Sequence, residues 1–325
     1  MSHRFVIGAA FALSLAVLPL SAHAAARPTD TLALQVALDR AGFSPGSIDG
    51  NMGLQTRQAL RGFQEAKGIK ITGSVNAETQ AALGEQTEAT EKVKITDADA
   101  AGPFLAKMPA SMAEKAKLDG LYYASIEEAL AEKYHTTPAK LRALNRGRDF
   151  EPGSEITVPA VRSQAMTGAG TSAWDAMLGQ LSVAKVQPIA AKVVVDKSER
   201  TVRVFDAAGK LLAQFPATLG SEHDPLPLGQ WKIQSVSRLP QFNYDPELFW
   251  DADAGDAKAK LPPGPNGPVG VVWIDLSKQH YGIHGTPEPE MVGRTASHGC
   301  IRLTNWDAAK LAQMVRAGTP AILQE

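Results

Sequence analysis

The single cysteine of this 325-residue chain lies among residues that could perform nucleophilic chemistry. Cys300 directly follows His298 and Gly299, and another histidine, His284, precedes it by 16 positions. A cysteine attacks a carbonyl carbon as its thiolate, and an imidazole within hydrogen-bond reach takes its proton or pairs with it. Gly299 permits a tight turn whose N–H groups, at residues 298–300, can point at a developing oxyanion. The pattern predicts cysteine acyl transfer.

A lone cysteine is commonly a small buried apolar residue rather than a nucleophile. Cys300, however, is flanked by glycine and histidine instead of an apolar run, which favours reactivity. A zinc site built from His280, His284, His298 and Cys300 is a competing interpretation, but no carboxylate pattern accompanies these residues. We therefore expect covalent catalysis by the thiol, with no metal and no other cofactor.

The surrounding region, residues 189–325, alternates apolar and polar residues with the period of two that is typical of β-strands. Strands are predicted at Lys192–Asp196, Thr201–Phe205, Leu211–Ala217, Trp231–Val236, Val271–Leu276, Tyr281–His284 and Ala321–Leu323. One late helix is predicted at Thr304–Val315, where Thr304 can cap its start. The Pro-rich and Gly-rich segment 243–269 is expected to form a lid or a groove wall. The fold class predicted for this domain is mainly β and sandwich-like, with one helix.

Three segments of this domain resemble the catalytic motif of the bacterial L,D-transpeptidases. They are Pro227-Leu228-Gly229, Ile283-His284-Gly285-Thr286 and Ser297-His298-Gly299-Cys300, the last continuing as Ile301-Arg302-Leu303-Thr304-Asn305. The resemblance runs from about Val193 to Leu323 and implies an extended β fold. The spacing between the His and Cys segments is on the short side for the family, which leaves the subtype open.

The resemblance implies a role for each residue that matches the motif. Cys300 is implied to be the nucleophile and His284 the base that exchanges its proton. The carbonyl of Gly285 would orient the His284 imidazole. His298 and Gly299 would shape the oxyanion site beside the nucleophile.

Arg302, Thr286 and Ser297 are the remaining candidates, and they are implied to bind substrate. Arg302 would either hold a substrate carboxylate or brace its own loop, and the motif does not decide between these roles. The hydroxyl groups of Thr286 and Ser297 suit structural hydrogen bonds as well, which is their more common use.

The resemblance also implies a reaction on peptidoglycan. Cys300 would attack the carbonyl of the third stem residue, implied to be meso-diaminopimelate, expel the terminal D-alanine and hold a thioester. An amine of another stem, a lysine of an outer-membrane protein or water would then resolve the thioester. Carbapenems are implied to acylate the same cysteine.

Other functional classes remain as alternatives. The nearest is a hydrolase or amidase on the same fold, which trims stem peptides or cleaves crosslinks or protein–peptidoglycan anchors. A sortase-like transpeptidase also uses His, Cys and Arg, but the Ser-His-Gly-Cys run argues against it. A noncatalytic wall-binding protein is disfavoured by the intact His284 and Cys300.

Residues 30–84 predict a small helical domain. Apolar residues recur at helical spacing in Leu34–Ala41 and Thr56–Phe63, and a third helix is predicted in Asn76–Leu83. The unit resembles the three-helix peptidoglycan-binding domain of bacterial wall enzymes through Ala41-Gly42-Phe43, Ile48-Asp49-Gly50, Gly53 with Thr56, Phe63-Gln64 and Thr72-Gly73. The resemblance implies that the Asp49-Gly50 loop grips a glycan or a stem peptide.

Residues 118–161 resemble the small α/β lysin-motif (LysM) sugar-binding module, with the order helix, helix, strand. A helical stripe covers Ile126–Tyr134, and the module's first strand is expected around Leu121–Ala124, where the usual Gly-Asp turn is missing. Glycan binding by this module and a purely structural role both remain open. Residues 85–117 and 162–188 are predicted to be linkers.

The N-terminal residues predict export. Arg4 precedes the apolar run Phe5–Leu20, and Ala22-His23-Ala24 supplies the pattern that a signal peptidase cuts after. The run is shorter than the roughly 20 residues of a membrane-spanning helix, and no later segment could span a bilayer. We expect residues 1–24 to be a signal peptide cleaved near Ala24, and the mature chain to be periplasmic without a transmembrane segment.

The composition and the net charge of the chain limit the classes of binding partner that we expect. Hydrophobic residues make up 44% of the chain and charged residues 21%, which is typical of globular rather than disordered proteins. With 33 Lys and Arg against 34 Asp and Glu, the net charge is −1, so no basic field gathers nucleic acid. The expected partners are peptidoglycan stem peptides and glycan, with an outer-membrane protein as one acceptor, and no nucleic acid.

Overall fold

The computed structural model describes residues 1, 30–84, 88–161, 171–253 and 255–325. The helices are α1 Thr31–Arg40, α2 Leu54–Ala66, α3 Ala77–Leu83, α4 Asp97–Ala100, α5 Met112–Lys115, α6 Ile126–Lys133, α7 Pro138–Leu144, α8 Ala173–Gln180 and α9 Asn305–Met314. The strands are β1 Thr90–Lys94, β2 Glu155–Pro159, β3 Lys192–Asp196, β4 Thr201–Phe205, β5 Leu211–Pro216, β6 Gly229–Arg238, β7 Phe242–Tyr244, β8 Ala259–Leu261, β9 Val272–Leu276, β10 Gly282–His284, β11 Ile301–Arg302 and β12 Pro320–Gln324.

The signal peptide predicted at residues 1–24 lies, apart from Met1, outside the described residues. Within the described ranges, every helix is too short or too polar to cross a membrane.

The N-terminal domain consists of α1, α2 and α3. Asp30 accepts a hydrogen bond from the backbone of α1 and Asn76 does the same for α3, so both helices start at side-chain caps. Leu38, Leu60 and Phe63 are almost fully buried in the shared core. Helix α1 is buried on nearly every side, because it also packs against the middle module and the C-terminal domain.

The middle module is larger than the sequence predicts. Strand β1 pairs antiparallel with β2, from Thr90 opposite Pro159 to Lys94 opposite Glu155, and α6 and α7 lie between them in the chain. Part of the predicted linker 85–117 is therefore the first strand of this module. The sequence Thr90–Lys94 hides this strand because it has four polar residues and a single apolar one.

The prediction that Leu121–Ala124 forms the first strand of the middle module is wrong. This segment is extended, but its partner lies in the C-terminal domain: the N–H of Leu121 donates to the Pro263 carbonyl, and its carbonyl accepts from the N–H of Asn266, both at 3.0 Å. The apolar run Leu-Tyr-Tyr-Ala is thus explained by burial against segment 243–269, where Leu121 packs with Tyr244 and Leu261.

The second predicted linker, 162–188, is also partly wrong. Residues 162–170 lie outside the described part, but α8 follows, and Ser172 and Asp175 form a capping box at its start. Met177, Leu178 and Leu181 enter the main core of the C-terminal domain. Sequence reasoning missed this helix because its small residues, Ala, Gly and Ser, also suit a linker.

The C-terminal domain is built on one eight-stranded sheet with the order β11-β10-β9-β6-β12-β3-β4-β5. The predicted strands are present with small changes in their ends, but a single sheet replaces the expected sandwich. The long strand β6 joins the two halves, pairing with β12 on one side and with β9 on the other, and its register shifts between Ile233 and Ser235. The two halves contribute to a single core, so the sheet curls around the residues that it buries.

Helix α9 fills the inside of the curled sheet. Thr304 accepts a hydrogen bond from the Asp307 N–H and caps the helix, and the Trp306 side chain is fully buried. The helix directly follows β11, so its packing holds β10 and β11 in place.

Candidate active site

Two short parallel strands, β10 and β11, hold His284 and the residues that directly follow Cys300. In the register of β10 and β11, His284 lies opposite Arg302. The Leu303 N–H donates to the His284 carbonyl at 2.8 Å, and the backbone of Arg302 exchanges two hydrogen bonds with Thr218, each 2.9 Å long. These bonds fix the backbone on which the side chains are mounted.

The imidazole of His284 is buried and held in one orientation. Its Nδ1 lies 2.7 Å from the Gly285 carbonyl oxygen, so this nitrogen carries the proton and donates. The ring stacks on Trp273 with 5.6 Å between the centroids. Burial and the Arg302 charge lower the pKa of His284 to about 4, against the opposing effect of the Gly285 carbonyl. The ring is therefore neutral at pH 7, and Nε2 holds a lone pair.

The Cys300 thiol lies against the start of β10. Its Sγ is 3.7 Å from the His280 carbonyl oxygen, and His280 adopts a left-handed φ of 66° that is uncommon outside glycine. Burial raises the pKa of the thiol, while the N–H of Gly282 and the Arg302 charge act in the opposite direction. In the described chain, the thiol makes no direct hydrogen bond to His284.

Local hydrogen bonds shape the turn that presents Cys300. The Ser297 hydroxyl donates to the Cys300 carbonyl at 2.6 Å, and the Ser297 N–H donates to the Leu219 carbonyl at 3.0 Å. Gly299 has a φ of 90°, and a Cβ there would lie 2.6 Å from the Tyr281 ring. This turn needs glycine for both reasons.

Arg302 lies at the centre of the site without a bound acid. Its side chain makes no hydrogen bond or ion pair with any described residue, although the Cys300, Glu288 and Asp251 side chains influence it electrostatically. Burial lowers the pKa of its guanidinium, but an arginine remains charged. Thr286 instead has a local role, because its hydroxyl accepts from the Glu288 N–H at 3.3 Å.

Segment 243–269 reaches over the motif. Strands β7 and β8 pair antiparallel at its base, and residues beyond β7 touch His298. The Asp251 carboxylate lies 2.8 Å from Nε2 of His298, and the Phe249 ring meets the imidazole edge to face at 5.2 Å. Trp250 stacks on His223 at 4.5 Å. Residues 249–251 of this segment therefore border His298, and a lid or a groove wall stays the prediction for the segment.

Sequence reasoning missed Asp251, His223 and Tyr281. Asp251 contacts His298, His223 stacks on Trp250 beside that contact, and Tyr281 lies against Gly299. No spacing rule connects these residues to the motif. The composition of segment 243–269 indicated a wall, but it gave no sign of which carboxylate would meet His298.

The four residues of the zinc interpretation do not converge. His298 contacts Asp251, His284 contacts the Gly285 carbonyl, and His280 contributes only its backbone carbonyl. Across the described ranges, no three His, Cys, Asp or Glu side chains are grouped as metal ligands would be.

Two family models match separate parts of the chain. Residues 190–323 match the YkuD model, described as the L,D-transpeptidase catalytic domain. Residues 27–83 match a model described as "Putative peptidoglycan binding domain".

Curated relatives of this chain are also named as L,D-transpeptidases. "Putative L,D-transpeptidase YkuD" of Bacillus licheniformis is 28% identical over 195 residues, which cover 59% of this chain and 89% of that protein. "Probable L,D-transpeptidase YbiS" of Escherichia coli K12 is 39% identical over 131 residues, covering 39% of this chain and 42% of that protein. Among solved structures, L,D-transpeptidase 3 from Mycobacterium tuberculosis aligns with 41% of this chain and 60% of its own, at 21% identity and a TM-score of 0.34.

The family match at residues 190–323 includes Cys300 and His284, and it supports the function inferred from the sequence. Residues 190–323 are therefore similar to the L,D-transpeptidase catalytic domain, and residues 27–83 are similar to a peptidoglycan-binding domain.

Proposed function

We propose that the protein is a peptidoglycan L,D-transpeptidase in which Cys300 is the nucleophile. The observation that carries this proposal is the state of His284, whose Nδ1 is bound to the Gly285 carbonyl and whose Nε2 is left as a free base on the strand beside Cys300. The match of residues 190–323 to the catalytic family supports it.

The first step is acylation of the cysteine. Nε2 of His284 takes the thiol proton as Sγ of Cys300 attacks the carbonyl carbon of the third stem residue. The bond to the terminal D-alanine breaks, and its leaving nitrogen takes the proton from the imidazolium. Since the thiol pKa is raised and the imidazole pKa is lowered, both groups are neutral at rest, and proton transfer accompanies attack.

The negative charge that develops on the carbonyl oxygen must be stabilised by hydrogen-bond donors. The N–H groups around Gly299 are the proposed oxyanion site, because the left-handed turn at Gly299 orients them differently from the neighbouring strand. Arg302 is the proposed partner of a substrate carboxylate, since its guanidinium has no other acid bound to it within the described chain.

The second step transfers the acyl group to an amine. The acceptor attacks the thioester carbonyl, its proton passes to His284, and the thiolate leaves and recovers the proton. A stem-peptide amine gives a wall crosslink, and a lysine of an outer-membrane protein gives a protein anchor. The wall formed by Phe249, Trp250 and Asp251 borders the space in which the acceptor must approach.

The remaining domains are proposed to hold the enzyme on its substrate. The N-terminal domain presents the Asp49 turn, where Asp49 accepts from Gln35 Nε2 at 2.9 Å and from the Asn51 N–H at 2.8 Å. We propose export through residues 1–24 and action in the periplasm, where the wall lies.

The test incubates residues 25–325 and the Cys300→Ala variant with purified disaccharide-tetrapeptide, with mass spectrometry of the products and of the intact protein. Crosslinked dimers or D-amino-acid exchange, together with an acyl adduct lost in the variant, is the expected result. A carbapenem adduct of the wild-type protein checks the thiol independently.

Tripeptide as the only product would replace transfer with hydrolysis and favour the trimming enzyme. If neither a product nor an adduct forms, the catalytic proposal is overturned and a wall-binding protein remains.

A further inference from the structure

A carboxyl group of the middle module lies buried against the catalytic domain. Glu132 is on α6, and its side chain is 3% exposed. The Tyr123 hydroxyl donates to its Oε2 at 2.9 Å, and Nδ2 of Asn305 lies 3.1 Å from both carboxyl oxygens. Asn305 is the first residue of α9, so this contact joins the two domains at the end of the catalytic motif.

The contact sets the orientation of the Asn305 side chain. Nδ2 faces three oxygens of the described residues, namely the two carboxyl oxygens of Glu132 and the Pro265 carbonyl oxygen at 3.2 Å. The amide oxygen must then point the other way, where it accepts from the Val271 N–H at 3.2 Å. A reversed amide would place an N–H group against the Val271 N–H and leave buried acceptors without donors.

The amide oxygen of Asn305 lies directly beneath the loop that follows His284. A Cβ at Gly285 would be 2.2 Å from this oxygen, and a Cβ at Gly270 would be 2.0 Å from it. The peptide of Gly285 therefore rests on the Asn305 side chain. The carbonyl of that same residue lies 2.7 Å from Nδ1 of His284 and orients the imidazole.

We propose that Glu132 is a positioning residue for His284, acting through Asn305 and the Gly285 peptide. The proposal rests on the role assigned to His284 under the proposed function. It makes the middle module part of the catalytic apparatus, in addition to any binding of glycan by that module.

The surroundings of Glu132 suggest the matched substitution. Burial raises its pKa to about 8, and nearby Glu128 acts in the same direction, while the Asn305 and Tyr123 hydrogen bonds oppose it. These are the groups that face the carboxyl from the preceding loop, its own helix and α9. Gln has the same size as Glu and keeps one acceptor oxygen at this place without adding a buried charge.

The test compares three variants of the full protein. E132L removes both acceptor oxygens, E132Q keeps one, and S44A removes a different buried contact to α9, the 2.7 Å hydrogen bond from Ser44 to Asp307. E132M replaces E132L if that variant does not fold, because Met adapts to the same space.

The first readout is steady-state kinetics with the disaccharide-tetrapeptide. E132L is expected to lower kcat by about 10- to 100-fold with little change in the donor KM, as a small misplacement of a catalytic group does. E132Q should restore kcat to within about 3-fold of the wild type, since an accepted hydrogen bond is retained. S44A should leave kcat close to the wild-type value, even where its melting temperature falls as far as that of E132L.

The second readout needs no substrate. The His284 Nδ1–H proton, assigned with a His284→Gln variant, is observed by NMR together with its exchange with water. In E132L the resonance should move upfield and exchange faster, because the hydrogen bond to Gly285 loosens. In E132Q and S44A it should stay in place.

Unchanged kcat and an unchanged His284 proton in E132L would overturn the inference. Equal losses of kcat in E132L and S44A would show that Glu132 makes only a structural contact, and this result would also overturn the inference. If the wild-type protein does not process the tetrapeptide, the proposed function fails, while the NMR comparison still decides whether Glu132 positions His284.

Discussion

Two buried histidines stack on tryptophans in this protein, and they differ in what their nitrogens meet. His135 lies parallel to Trp306 at 5.1 Å, and His284 lies on Trp273 at 5.6 Å. Nδ1 of His135 is 3.0 Å from Asp39, and its Nε2 is 2.7 Å from the Leu181 carbonyl. Both nitrogens of His135 therefore face oxygen acceptors, whereas only Nδ1 of His284 does so among the described residues.

The number of hydrogen-bond acceptors around each imidazole distinguishes a structural histidine from a candidate catalytic one. His135 belongs to a polar interface cluster with Asp39, Lys310, Asp307 and Ser44, which joins the N-terminal, middle and C-terminal domains. Lys310 and His135 together keep the pKa of Asp39 well below its ordinary value, although burial opposes them. A histidine with both nitrogens bound to acceptors can hold domains together, but it has no lone pair to offer a thiol.

The strongest way to break this comparison is to remove the free base. His284→Gln should lower kcat for thioester formation by about 10³-fold, because a general base contributes this order of magnitude. The melting temperature should change little, since Gln can still occupy the strand. Retained turnover would contradict the role of His284, and Cys300→Ala sets the background for the measurement.

The reciprocal substitution tests the other histidine. His135→Gln should cost about 3 kcal/mol of unfolding free energy, because the buried Asp39 carboxylate loses a hydrogen-bond partner. Chemical denaturation measures the loss, and kcat of the folded fraction should stay close to the wild-type value. A variant that unfolds normally but turns over poorly would assign His135 to catalysis instead.

The pH profile sharpens the comparison further. With a pKa of about 4, His284 stays mostly neutral at pH 5, where an ordinary histidine would be largely charged, so about 30-fold more of the base is available. The acid limb of kcat/KM should fall near pH 4. A limb near pH 6.5 would contradict the neutral, buried base.

The same shift has a consequence for folding. The unfolded chain binds a proton at His284 near pH 6.5 and the folded chain only near pH 4, so the unfolded state holds more protons in between. The contribution of His284 therefore makes stability fall as the pH drops from 6.5 toward 4. Denaturation of the wild type and of His284→Gln across this range isolates that contribution.

The smallest effect is expected at the wall of the site. Asp251→Asn keeps the size of the side chain but weakens its hydrogen bond to His298, a contact that is partly exposed. Acceptor KM should rise by about 2- to 5-fold, with stability changed by less than about 1 kcal/mol. A large fall in kcat with saturating donor would instead assign Asp251 a role in the chemical step.

Much of the fold could be predicted because local pattern decided it. Strands β3 and β4 begin and end where their valine-rich segments predict, and α9 starts at the Thr304 cap. Strand β1 could not be predicted, because its residues Thr90–Lys94 are mostly charged and gain their partner only across 61 residues of chain. The extended segment at Leu121 was visible, but its partner was not.

The candidate site divides in the same way. His284, Gly285 and Cys300 are close in sequence, so a short motif could indicate them. Asp251 and Glu132 reach the motif only through tertiary packing, from an insertion and from another module. A single sequence carries no signal for such contacts.

Strand β12 ties the activity of the protein to the order in which the chain is made. It lies in the middle of the eight-stranded sheet, between β6 and β3, and the half that holds β10 and β11 joins the other half through it. Because β12 follows every other strand of this sheet in the chain, the sheet cannot close before Pro320–Gln324 have been synthesised. The backbone around Cys300 can therefore take its place beside the closed sheet only after translation has passed residue 324.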